Sequence, residues 1–205
     1  MNPATVIETL AVIAFLAAMP VGIQGFRRRR SGEAYEADVL IQRAPQLVSL
    51  ANLFVILGAF HVFPNGPLNL FHYLPSLVAD LVSWLGVLLC LSGLIFMVGG
   101  WYSLGTNFSP DAEILPGQTI TNRGLYRVVL HPAYSGIVQA LLGAGLTSGS
   151  LVAIGCTLGV VAPLWLRRAR YEERLLLETF GDRYETYADS MGWRRLVPRF
   201  TLRRA

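Results

Sequence analysis

Reactive side chains in this chain crowd into two short stretches. The first runs from Gly124 to Gly136, where Tyr126, His131 and Tyr134 sit directly against an apolar run. Pro132 lacks an N–H, holds its own φ near the helical value and pushes His131 out of the helical region. A helix is therefore expected to start at Pro132 with His131 just outside it. That puts an imidazole and free backbone N–H groups at the electropositive end of a helix, where they can donate to an anionic group. The second stretch holds Arg168, Glu172 and Glu173. Arg168 and Glu172 are four apart and share a helix face, whereas Glu173 points about 100° away. Taken singly, each has an ordinary reading: an interfacial histidine, or a surface ion pair worth well under about 1 kcal/mol.

The elements that must position these groups are membrane helices. With 53% hydrophobic and 15% charged residues among 205, and a mean hydropathy of +0.47, the chain is too apolar for an ordinary soluble domain. The reading is an all-α polytopic membrane bundle of about five transmembrane helices. Thr5 to Phe26, Gln46 to Phe63 and Leu77 to Leu104 are apolar runs near or above the roughly 20 residues that a span needs. Pro132 to Leu146 and Leu151 to Leu166 are shorter, and read as a tight hairpin whose small residues Gly143, Ala144, Gly145, Gly155 and Gly159 let its arms approach. The hairpin returns His131 and Arg167 to one membrane face. Residues 1–104 then form a three-span platform, and 105–205 a second region with a loop, the hairpin and charged C-terminal helices.

Charge sets the expected orientation. Arg27 to Arg30 close the first run, and Arg167, Arg168 and Arg170 follow the last. The positive-inside rule therefore places the N-terminus outside and the loop, the C-terminus and the clusters in the cytoplasm. The loop holding Glu33, Glu36, Asp38 and Arg43 is expected to be a short interfacial element. The outer loop from Pro64 to Ser76 has turn residues and no charge, with His61 and His72 at its edges; no acidic or thiol partner is near them in sequence, so no metal site is expected. Trp84, Trp101 and Tyr102 fit interfacial anchoring. Gly105 to Leu130 is long and polar, which is more often functional than a connector. The last span is expected to continue out of the membrane to Glu178, stop at Gly181 after Phe180, and give way to a helix near Asp182. Cys90 and Cys156 lie singly in apolar runs and read as packing residues.

These features exclude some functions. A formal net charge of +4 comes from arginines beside apolar runs, without the exposed aromatics of a nucleic-acid binder. Transporters place polar residues at mid-membrane, and the spans hold little beyond Asn52 and Asp80. A non-catalytic scaffold stays open on residues alone.

The ordered set Leu104-Gly105, Phe108-Ser109-Pro110, Thr121 to Arg127, His131 to Gly136, Glu172-Glu173 and Phe180 to Tyr184 resembles the membrane-embedded methyltransferases, the family of isoprenylcysteine carboxyl and phospholipid N-methyltransferases. The resemblance covers about the C-terminal half. It implies an S-adenosyl-L-methionine site open laterally to lipid, with the cofactor held by Gln118, Thr119, Ile120, Thr121, Tyr126, His131, Pro132, Ala133, Tyr134 and Glu172. It implies that Arg168 orients the acceptor as a catalytic and substrate-binding cation, and that no metal is used. The acceptor is expected to be lipid-like, a prenylated cysteine carboxylate first and a phospholipid amine or small molecule next, in a prokaryotic inner membrane. Two positions depart from the family pattern. Leu130 stands where arginine is common, and Gln118 where histidine is common.

Overall fold

The computed structural model describes residues 2–29 and 39–191. Apolar sequence dominates and no described residue joins a sheet, so the chain folds into packed helices: α1 (Pro3–Arg29), α2 (Val39–His61), α3 (Ser76–Leu104), α4 (Pro132–Ser148), α5 (Leu151–Cys156), α6 (Ala162–Phe180) and α7 (Asp182–Met191). A five-residue π turn, Thr157–Val161, joins α5 to α6 without a break. Four helical stretches are long and apolar enough to cross a membrane: Pro3–Gly25, Ile41–His61, Ser76–Asn107 and Leu151–Phe180. The fifth rod of the bundle, α4, has 17 residues. Phe15, Leu47, Phe54, Leu77 and Leu85 project outward from these rods with most of their surface uncovered, as lipid-facing side chains do.

One boundary differs from expectation. The helix of the second span begins at Val39, seven residues before Gln46, because α2 runs through Pro45. Proline removes the N–H that would pair four residues back and presses its ring on that carbonyl, which loosens acceptors in the preceding turn. Arg43, expected in a loop, therefore lies on α2. The interfacial element expected around Glu33, Glu36 and Asp38 lies outside the described residues. The charged helix does continue the last span, ending at Gly181, whose φ of 53° closes it before α7.

The helix seam also differs from expectation. Gly86, Gly93 and Gly100 recur every seven residues along α3 and face α4, not solvent. A Cβ on Gly93 would collide with Ala140 N, and one on Gly136 or Gly143 with Met97 N or Cys90 N, so only glycine permits this approach. Gly155 and Gly159 meet nothing. Gly143 thus faces α3 rather than the hairpin's second arm, while Gly145 does meet that arm, at Ile154 and Ala153 of α5. Ile56, Val87, Cys90, Leu141, Ala144, Ala153, Val161 and Trp165 fill the core between α2, α3, α4 and α5–α6, which accounts for Cys90 as packing.

At the end of the bundle away from His131, polar groups pair with one another. Asn69 donates to Pro64 O at 2.8 Å and Ser148 O at 3.3 Å, and accepts from Phe71 N at 2.8 Å. Thr147 Oγ1 lies 3.0 Å from both Ser83 O and Gly143 O. His61 meets Glu8 at 2.6 Å; this acidic partner comes from another helix, so local sequence does not reveal it. No metal-binding group of three or more His, Cys, Asp or Glu occurs among the described residues.

Candidate functional site

The site forms where α3 ends, the 105–131 segment folds back, and α4 begins. Gly105 ends α3 and Gly124 opens a 3-10 turn, each with φ of 56°; at Gly124 a Cβ would also strike Ser103. The turn, Gly124–Arg127, brings Tyr126 inward. His131 is the N-cap of α4 (φ −127°, ψ 70°), and Pro132 opens the helix as its spacing requires. Pro132 and Ala133 pack on Gly100, so the seam fixes the height of His131 beside the end of α3.

One turn into α4, Tyr134 stacks on the His131 ring at 5.3 Å, with 1° between planes, and packs against Trp165 at 4.6 Å. Its hydroxyl donates to Glu172 Oε2 at 2.6 Å and accepts from Arg168 Nε at 3.1 Å. His131 sits between two carboxylates: Nε2 is 3.1 Å from Glu173 Oε1, and Nδ1 3.8 Å from Glu172 Oε2. Glu173, angled away from Glu172 on a bare helix, still reaches His131, because the ring lies over both positions. His131 is 5% exposed, so this is a nearly dry cluster rather than a solvated helix end.

Arg168, expected to orient the acceptor, lies buried beneath the cluster. It is 2% exposed, and beyond Tyr134 its guanidinium donates to Gln42 O at 2.6 Å and Pro110 O at 2.7 Å. The Gln42 carbonyl lies three residues before Pro45, in the same turn of α2, so the arginine ties α6 to this part of α2. Its carbon Cζ also lies 5.7 Å from the Tyr134 ring and 5.6 Å from Trp165. Arg168 stands behind Tyr134, tying α2, the loop and α4 to α6.

Two adjoining clefts open on this cluster. One is walled by Trp101, Leu104 and Phe108 on its apolar side and by Ser109, Asp111, Glu113 and Glu172 on its polar side. The other is lined by Leu104, Gln118 to Thr121, Leu130 and Leu176, with Tyr126, Tyr184 and Tyr187. Gln118, Tyr126, His131 and Glu172 border both. Burial, then the nearby Glu172 charge, pushes the Tyr126 hydroxyl well above the ordinary phenol range, so this wall is neutral. Tyr187 donates to the Tyr126 carbonyl at 2.7 Å, fastening α7 over the cleft.

Nine of the eleven residues singled out from the sequence line these clefts: Gln118, Thr119, Ile120, Thr121, Tyr126, His131, Ala133, Tyr134 and Glu172. Pro132 and Arg168 lie behind the walls. Loop geometry explains the 118–121 run. Asn107 Nδ2 donates to Thr119 O at 2.9 Å and Thr121 Oγ1 at 3.0 Å, and Gln118 Oε1 accepts from Leu115 N at 2.8 Å. Sequence reasoning missed Asn107, Asp111, Glu113 and Tyr187 as wall residues. Phe108, Ser109 and Tyr184 belonged to the recognised motifs without being given a role.

Residues 81–183 match the phospholipid methyltransferase family. The fold is similar to that of a eukaryotic intramembrane Ras methyltransferase, isoprenylcysteine carboxyl methyltransferase, at a TM-score of 0.58 and 16% identity, covering 97% of this chain and 68% of that one. No curated protein sequence matches the chain.

Proposed function

Since this chain belongs to the phospholipid methyltransferase family, and is thereby a multi-pass membrane methyltransferase, we propose that it transfers the methyl group of S-adenosyl-L-methionine to an amine carried by a lipid-like molecule. The observation that carries this reading is the pairing of a tyrosine-lined cleft with an adjoining one richer in carboxylates, Glu172 bordering both. The walls fit the cofactor. Tyr126, Tyr184 and Tyr187 offer ring faces for adenine, Glu172 offers a carboxylate for a ribose hydroxyl or an ammonium, and the stacked His131 and Tyr134 present π surface toward a cation. The cofactor supplies a methyl group already activated on a sulfonium, so the chain needs to bind, align and exclude water, and needs no nucleophilic side chain.

The acceptor chemistry follows from where the charges stand. A carboxylate acceptor, first in order from the sequence, needs a cation on the wall to hold it. Arg168 is behind Tyr134 with three protein acceptors, and no arginine lines either cleft among the described residues. Asp111 and Glu113 line the first cleft instead. Carboxylates there attract an ammonium and accept the proton that it must shed before its lone pair attacks the methyl carbon. The neutral amine then becomes an N-methyl ammonium as the carbon–sulfur bond breaks toward sulfur. The apolar Trp101, Leu104 and Phe108 suit an acceptor delivered from the bilayer. By the positive-inside rule this end of the bundle is cytoplasmic.

Titration of detergent-purified protein with S-adenosylhomocysteine tests the donor half. Glu172→Gln keeps the shape and removes the charge, and should weaken binding by about tenfold or more while the protein stays folded. Radiolabel transfer from S-adenosylmethionine into mixed micelles of phosphatidylethanolamine, compared with N-acetyl-farnesylcysteine, tests the acceptor half. Label in the amine lipid is expected. A base-labile methyl ester on the farnesylcysteine alone would replace the amine with a carboxylate, and a folded protein that binds no S-adenosylhomocysteine would remove the methyltransferase assignment of these clefts.

A further inference from the structure

Residues 108–113, Phe-Ser-Pro-Asp-Ala-Glu, bring Asp111 and Glu113 to the first cleft, yet belong to no helix. Such a strap has no backbone ladder of its own, so its place must come from contacts with its neighbours. Its contacts with α1 and α2 reach beyond the family-matched residues. Phe108 lies in a notch of α1 where a Cβ on Gly25 would strike its ring, and its other side meets Trp101 at 5.3 Å. Arg43 approaches Asp111 at 3.6 Å. Pro110 O accepts a hydrogen bond from Arg168 Nη2. The most specific contact is the side-chain amide of Gln42. Its Nε2 donates to Ala112 O at 3.0 Å and its Oε1 accepts from Ala112 N at 2.9 Å.

This reciprocal pair differs from an ordinary side-chain hydrogen bond. Engaging both the N–H and the C=O of one residue fixes its rotation as well as its position. Ala112 is 2% exposed and Gln42 8%, so water does not substitute for either bond. Asp111 and Glu113 flank Ala112, and its backbone orientation determines where their carboxylates stand. The carbonyl of the same Gln42 also holds Arg168, and through it Tyr134 and Glu172. One residue on α2 thus touches the supports of both the acceptor wall and the donor wall, with the side chain serving the acceptor wall.

We propose that Gln42 is a positioning residue for acceptor binding: its side-chain amide sets the 109–113 strap, and this chain's own N-terminal helices thereby tune the acceptor site built on the family region. The inference rests on the methyltransferase reading above.

Gln42→Glu tests it in the full chain. As a carboxylate, the new side chain still accepts from Ala112 N–H but opposes Ala112 C=O; when protonated it restores both bonds with the same shape. The KM for phosphatidylethanolamine in mixed micelles, or for N-acetyl-farnesylcysteine if wild type methylates that instead, should rise about tenfold near pH 8. The ratio of variant to wild-type KM should shrink as pH falls, and S-adenosylhomocysteine affinity should stay within about twofold of wild type throughout. Amide exchange in the peptide containing Ala112 should quicken in step, and Gln42→Leu should give the same acceptor defect without the pH recovery. Unchanged acceptor KM and unchanged Ala112 exchange in Gln42→Glu would overturn the proposal. So would donor affinity falling as far as acceptor affinity, which would make Gln42 a general support. If wild type itself binds no S-adenosylhomocysteine, the reading beneath fails, and exchange at Ala112 still decides whether Gln42 sets the strap.

Discussion

The two ends of α4 make an instructive pair. Both are rich in polar side chains held against the same α3 seam, yet only one bears the features of a site. At the Ser148 end, Asn69, Thr147, Ser148 and Ser150 direct their bonds to backbone atoms of the turn and its neighbours. At the His131 end, the ring and the Glu172 and Glu173 carboxylates bond to one another, and His131, Tyr134 and Glu172 still border open clefts. Polarity marks both places. Both ends also border a cavity, the one at the Ser148 end being lined by Asn69 and Ser150 among apolar side chains; what separates them is that the polar groups there bond to backbone, which only fastens structure.

Breaking what the two ends share should have the largest effect. In Gly136→Val a side chain would enter the backbone of α3 at Met97 and Gly93, at a cost of about 3 kcal/mol or more. Folded yield and thermal unfolding in detergent should fall together with S-adenosylhomocysteine binding. A variant with wild-type thermal stability would show that the seam is looser than described.

A smaller change should separate the ends. Asn69→Ala removes three hydrogen bonds at the Ser148 end and should lower stability by about 1–3 kcal/mol, leaving S-adenosylhomocysteine affinity unaltered. Coupled loss of affinity would mean that the ends communicate through α4 and would spoil the contrast.

The smallest effect concerns pH. Burial raises the Tyr126 and Tyr187 phenols, so both keep their protons in the fold while the unfolded chain loses them near pH 10. Their contribution to stability is complete below that pH and declines as pH rises above it. Melting temperatures measured from pH 8 to 11 should therefore drop at the alkaline end, and the drop should be shallower in Tyr187→Phe by a few degrees at most. An identical slope in the variant would remove Tyr187 from this account.

How much of this was legible in the sequence depended on distance along the chain. Pro132, Gly181 and the continuation of the last span into charged helix were readable because proline, glycine and apolar periodicity act locally. The recognised motifs likewise brought most of the cleft wall to light. Contacts between distant segments had no such signature. Gln42 reaches across 70 positions to Ala112 and Glu8 across 53 to His61. Small residues advertise a close approach without naming the partner, and so Gly143 was paired with the wrong helix. The partners of Arg168, the Gln42 and Pro110 carbonyls, lie 126 and 58 positions away, and no pattern within α6 contains them.

The π turn at 157–161 has a further consequence for how this chain tolerates change in length. Ala153, Thr157, Val161, Trp165 and Ala169 are all buried at a spacing of four, a stripe that an unbroken helix of 3.6 residues per turn would wind out of alignment. The wide turn keeps the stripe straight by holding one residue more than an α turn. A single-residue deletion within 157–161 is thus the one length change in this rod that the geometry can absorb, by reverting the wide turn to an ordinary one. The same deletion between 162 and 167 would swing Arg168 and Glu172 about 100° around the axis, away from Tyr134. The membrane half and the reacting half of the helix are indexed separately, like two gears on one shaft, and the coupling between them sits at Thr157, where Asn52 grips it from α2 at 2.8 Å.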